Sequence, residues 1–159
     1  MALDAVYAGS LTEFPPTSGD SNMRHVAQHD YDNGDCGIAC IAMVTGMGYR
    51  AIYDAFHCQK LIKRTGTMFT QHRHLIVVLE ALGLAATRHR FERWRAVEGP
   101  AIVKTNVRGR YWHWVVYNTD SSGPFVLDPA KERLRIRDFR GLRAGGSYIR
   151  VGAFAERRG

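Results

Sequence analysis

Cys36 stands in the run Asp35-Cys36-Gly37, at the head of the apolar stretch CGIACIAMV. A cysteine in the first turn of a helix meets unpaired backbone N–H groups and the positive end of the helix dipole. Both favour the thiolate over the thiol. Gly37 would let a substrate backbone come close to the sulfur. The same position equally suits a small buried hydrophobe, the reading that fits Cys40, one turn further on beside Ile41 and Ala42. Cys58 has no evident role. A nucleophilic cysteine needs a base, and the base needs an orienting partner. His113 is the best base: it lies between Trp112 and Trp114 on a strand, with its side chain facing away from theirs. His25, His29, His72 and His74 are weaker choices, set in a loop or near a helix start. Asp128 is the best orienter. It closes a strand paired with the one that carries His113, and Pro129 fixes the turn after it. Taken singly, a strand histidine and an Asp-Pro pair are as readily structural.

The elements that must position these residues follow from pattern. Residues 9–22 read as a polar, proline-containing loop, and Asn33-Gly34 as a turn. Residues 36–45 form a buried helix, capped by Asp35 or Asn33 and stopped at Gly46. Residues 50–61 and 70–82 have amphipathic helical spacing. Residues 91–97 add one helical turn or two. Beyond Pro100 the period changes. AIVKTNV, residues 110–118 and residues 125–128 read as strands, the last two joined as a hairpin through NTDSSGP. Residues 133–136 and 147–151 would add edge strands. Helices first and strands after predict an α+β domain, a helical layer on an antiparallel sheet. The domain is expected over residues 24–159, behind an extension at 1–23.

Residues 35–43, DCGIACIAM, resemble the nucleophile helix of the C39 peptidases, a branch of the papain-like cysteine peptidases. PAIVKTN at 100–106 resembles that family's strand before the histidine. HWVV at 113–116 resembles its histidine motif, and Asp128-Pro129-Ala130 its aspartate motif. The four pieces in this order span about residues 24–130. The resemblance implies a papain-like fold, catalysis by Cys36, His113 and Asp128, and Gln28 as the side chain completing the oxyanion hole. Gln28 lies eight residues before Cys36, further than in the family, so HDYDNGD is a lengthened loop. Asn33 is the substitute if Gln28 is displaced. Familiar members are transporter peptidase domains that cut leader peptides after a double glycine. Nothing here resembles an ATPase or a membrane domain, which implies a stand-alone unit. Gly145-Gly146 is read as a flexible turn rather than a cleavage site.

The implied reaction is peptide-bond hydrolysis, with no metal and no cofactor. The alternatives are another amide hydrolysis or acyl transfer on the same fold, or a basic module that binds peptide or nucleic acid. Charge motivates the last. Residues 1–60 hold three basic and seven acidic residues; residues 61–159 hold nineteen and eight. A basic half attracts acidic partners, yet the arginines are spread singly with no nucleic-acid-binding motif. The expected partner is a peptide or protein, acidic or bearing a double glycine. The aromatics Tyr111, Trp112, Trp114 and Tyr117 read as sheet packing, with a cleft lining as the alternative. The chain has 159 residues and is 45% hydrophobic, which suits one domain with a core. Its three cysteines argue against a disulfide scaffold. No apolar run reaches the roughly 20 residues of a membrane span, and residues 1–11 lack a basic signal-peptide start. A cytoplasmic protein, or one exported without a classical signal, is expected.

Overall fold

The computed structural model describes residues 22–63 and 66–153. Nearly all of the expected extension over residues 1–23 lies outside them. Among the described residues three α-helices precede the sheet: α1 (Cys36–Thr45), α2 (Tyr49–Cys58) and α3 (His72–Ala81). Five strands follow: β1 (Leu84–Arg90), β2 (Ala101–Arg108), β3 (Tyr111–Asp120), β4 (Gly123–Leu127) and β5 (Ala144–Ala153). Every pairing is antiparallel, in the order β1-β5-β2-β3-β4. The architecture is α+β, with the helices packed on the sheet, as the sequence predicts.

Nine of the ten residues of α1 are buried. A helix that is apolar on all sides has no solvent face and must lie inside. Ile38, Ile41 and Met43 meet Ile52 and Phe56 of α2, Leu75 and Leu79 of α3, and Ile102, Trp114, Val116 and Ile149 of the sheet in one cluster. Val103, Val115, Tyr117, Val126 and Tyr148 point to the other face, under Trp94, Phe139 and Leu142. The sheet is thus covered on both sides, and the alternation of its strands feeds two cores.

Several expected boundaries change. α2 ends at Cys58, before Lys60 takes a left-handed φ of 57°. α3 starts at His72, where Gln71 and His74 make a reciprocal capping box. Residues 94–96 make only a 3-10 turn. The stretch LAATRHR forms β1, although its sole buried residue is Ala86; pairing with β5 supplies what its own pattern lacks. β5 is no edge strand: it lies between β1 and β2. Residues 133–136 add only a single bridge, between Ile136 and Val126. Gly145-Gly146 lies within β5 rather than in a turn. A Cβ on Gly145 would sit 2.5 Å from Val107.

Candidate active site

α1 begins at Cys36, so its sulfur sits in the first helical turn. Asp35 holds that turn in place, though not as a cap. Its fully buried carboxylate accepts the backbone N–H groups of His29 at 2.6 Å and Asp30 at 2.9 Å, and the Tyr49 hydroxyl at 2.7 Å. Asp35 makes no side-chain cap bond. Asn33 does not cap α1 either; its amide donates to Asp30 at 2.7 Å. Burial, then the hydrogen bond and charge of Asp35, push the Tyr49 phenol well above its ordinary range. It therefore stays a donor. His29 stacks on the Tyr49 ring at 3.8 Å. The loop before Cys36 contains a 3-10 turn at Tyr31–Asn33, closed by Gly34 at φ 76°. A Cβ on Gly34 would lie 2.6 Å from the Phe69 ring, so both its backbone angle and its neighbour call for glycine.

Gly37 serves packing rather than the expected access for substrate. A Cβ there would meet Thr70 Oγ1 at 2.3 Å and Leu75 at 2.9 Å. The segment before α3 thus lies against the head of α1. Trp114 Nε1 donates to the Thr70 carbonyl at 3.2 Å and ties β3 to the same place.

The β3–β4 hairpin carries His113 and Asp128. Its register, with Val116 opposite Leu127, brings the start of β3 near the residue that follows β4. His113 Nε2 lies 2.7 Å from Asp128 Oδ1. Both side chains are largely buried. The other anchor on Asp128 is the Ala130 N–H, at 2.9 Å. Burial pushes the His113 imidazole down. Hydrogen bonds to Asp128 and Cys36, with the negative charge of both, override it and lift the ring to about 9. Burial raises the Asp128 carboxyl, but His113 and the Ala130 N–H hold it below its ordinary value. Nε2 is taken by Asp128, so Nδ1 is the ring nitrogen left for Cys36. The thiol of Cys40, fully buried one turn on, is pushed well up by burial first and by Cys36 and Asp128 after it.

The segment carrying Gln28 runs beside Asp128. Gln28 N donates to the Pro129 carbonyl at 3.0 Å, and His25 Nε2 lies 2.8 Å from the Asp128 carbonyl. Among the described residues, Gln28 Oε1, Asp35 Oδ1 and Thr70 Oγ1 are buried without a hydrogen-bond partner. The remaining histidines have other work. His72 is buried, with Nε2 2.7 Å from Ser147 Oγ and its ring edge-on to Trp114. Burial, then Arg88 and Lys104, push it down to about 4. His74 caps α3. Tyr49 and Thr70 escaped the sequence reading because neither carries a motif signal, and only tertiary contact brings Tyr49 to Asp35 and Thr70 to Gly37. Trp114 and Tyr117 are core residues, as sheet packing requires, while Tyr111 is exposed beside Phe69.

Residues 23–140 match the sequence profile of the peptidase C39 family. The chain belongs to that family. No curated protein matches this C39 chain in sequence. Among solved structures it is similar to the peptidase domain of Streptococcus ComA, a bifunctional ABC transporter of a quorum-sensing pathway. The TM-score is 0.60 at 20% identity, over 83% of this chain and 99% of that one. It is also similar to a double glycine motif protease from an AMS/PCAT transporter, solved with its leader peptide. There the TM-score is 0.57 at 20% identity, over 87% and 96% of the two chains. At such identity the likeness is one of fold, the papain-like C39 architecture. Among the described residues no single helix of this C39 chain is long and apolar enough to cross a membrane, and no cluster of three or more histidines, cysteines or acids could hold a metal ion.

Proposed function

We propose that the chain is a cysteine peptidase that cuts a peptide bond with Cys36 as nucleophile, His113 as base and Asp128 as orienter. The observation that carries this reading is the 2.7 Å contact of His113 Nε2 with Asp128 Oδ1, with Cys36 among the groups that raise the imidazole and itself at the head of a buried helix, in a C39 chain. His113 Nδ1 takes the thiol proton. The thiolate attacks the substrate carbonyl carbon, and the C–S bond forms as the carbonyl electrons move to oxygen. The Cys36 N–H and the Gln28 side-chain amide stabilise that oxyanion. The C–N bond then breaks, and His113 gives its proton to the leaving amine. Water adds to the thioester with His113 again as base, releasing the acid and restoring the thiol. Asp128 keeps the ring turned with Nε2–H toward its carboxylate throughout. The peptidase unit occupies residues 24–159, and its substrate is a peptide or protein. A double glycine before the cut bond is the first sequence to try, because the neighbour solved with a leader peptide is a double glycine motif protease.

The test is cleavage of peptides with and without a double glycine, followed by mass spectrometry. Products from the native chain, absent with Cys36→Ala and with His113→Ala, support the reading. The second measurement is alkylation of Cys36 by iodoacetamide. Dependence on His113 at a site this buried supports the pair, whereas indifference to His113 together with no cleavage overturns the peptidase reading.

A further inference from the structure

The helix-facing side of the sheet changes character toward one end. Ala86, Ile102, Trp114 and Ile149 lie in its apolar cluster. Two residues along the strands, on the same face, come Arg88, Lys104, Trp112 and Ser147. α3 starts above them with His72 and Arg73. Together Gln71, His72, Arg73, Arg88, Lys104 and Trp112 line a cleft of about 240 Å³.

Three fixed cations share this cleft. Among the described residues no carboxylate pairs with any of them. Elsewhere five arginines are answered: Arg50 by Asp54, Arg135 and Arg137 by Asp120, Arg140 by Asp138, Arg150 by Glu98. The Lys104 ammonium sits 4.1 Å above the Trp112 ring. Burial, then Arg88, hold Lys104 below its ordinary value. Burial, then Arg88 and Lys104, push His72 down to about 4, so it adds no further cation there at pH 7. Like charges gathered in a partly desolvated cleft raise the local potential, and an anion entering it relieves their repulsion. Guanidinium groups offer forked donors that match a carboxylate.

The cleft adjoins the proposed catalytic strand. Its wall residue Trp112 precedes His113, and its His72 packs on Trp114, which follows His113. Trp114 is bonded to Thr70, and Thr70 abuts Gly37. We propose that this cleft is a specificity subsite for an acidic side chain of the peptide substrate, a proposal that rests on the peptidase reading for the word substrate.

The test uses the full chain carrying Cys36→Ala, so that binding is read without cleavage. The probes are end-blocked tetraglutamate, end-blocked tetraglutamine and inorganic phosphate. The readout is the indole N–H NMR signal of Trp112, assigned with Trp112→Phe. Tetraglutamate should shift the signal and tetraglutamine should not. Arg88→Gln with Lys104→Gln should weaken binding about tenfold, a change equivalent to roughly 1.4 kcal/mol. Should the double variant fail to fold, Arg88→Gln alone, at an exposed residue, gives the same sign. Arg133→Gln with Arg140→Gln should leave binding unchanged. No shift with tetraglutamate overturns the proposal, as does a shift indifferent to Arg88 and Lys104. A shift with phosphate but not tetraglutamate also overturns it, and assigns the cleft to a free anion. Tetraglutamate binding together with no peptide cleavage by the native chain would sink the peptidase reading and leave an acidic-peptide site.

Discussion

His113 Nε2 lies 2.7 Å from Asp128 Oδ1, fifteen residues apart in sequence and joined across one hairpin. The imidazolium should therefore persist to about pH 9. Histidine C–H NMR should find one ring titrating near that value, well above an ordinary histidine. Asp128→Asn removes the charge and should lower that midpoint; an unchanged midpoint would show that Asp128 does not set it. The same pair couples to stability. His113 is raised on folding, so its contribution is complete below its unfolded value of 6.5 and is lost as pH climbs through about 9. Asp128 is lowered, so its contribution is complete above 3.8 and is lost as pH falls through its depressed value. Urea midpoints should be highest between those limits for the native chain and flatter with pH for His113→Ala.

Gln28 should matter to turnover and not to folding. Removal of one oxyanion donor costs about 10²–10³-fold in kcat in the best-studied case. Gln28→Ala should lose that much peptide cleavage while its circular dichroism stays native. A kcat within a factor of about three of the native value would remove Gln28 from the oxyanion hole.

Asp35 should matter to folding first. Asp35→Ala leaves the His29 and Asp30 N–H groups and the Tyr49 hydroxyl without their acceptor. Hydrogen bonds to a charged group contribute about 1.5–3 kcal/mol each, so a loss of about 3 kcal/mol or more is expected. Tyr49→Phe breaks one such bond and should cost about 1.5 kcal/mol. Urea denaturation measures both, and Tyr49→Phe should be the milder.

Gly37→Ala should be destabilising by about 1–3 kcal/mol through overpacking. Its Cβ would meet Thr70 Oγ1 at 2.3 Å and Leu75 at 2.9 Å. Thr70→Ala removes the nearer atom, so the double variant should recover part of the loss. A fully additive pair in denaturation would contradict this contact.

Short-range signals carried much of this protein. The apolar run from Cys36 has no polar side, so it becomes the central helix and sets Cys36 in its first turn. The turn at NTDSSGP lies between β3 and β4, so the hairpin follows from residues that are near in sequence. That hairpin then sets His113 beside Asp128. What lay beyond the sequence depends on pairs far apart in it. β1 is mostly polar, and its partner lies up to 69 residues away, as in Leu84 opposite Ala153. Such pairing leaves no local pattern, because the strand is held by backbone bonds and by one buried alanine. The same distance hid the role of Asp35 as an anchor, the contact of Gly37 with Thr70, and the gathering of Arg88 and Lys104 in one cleft. Charge and glycine content are properties of the chain, but which charges meet, and what a glycine makes room for, is decided only when separate strands and helices pack together.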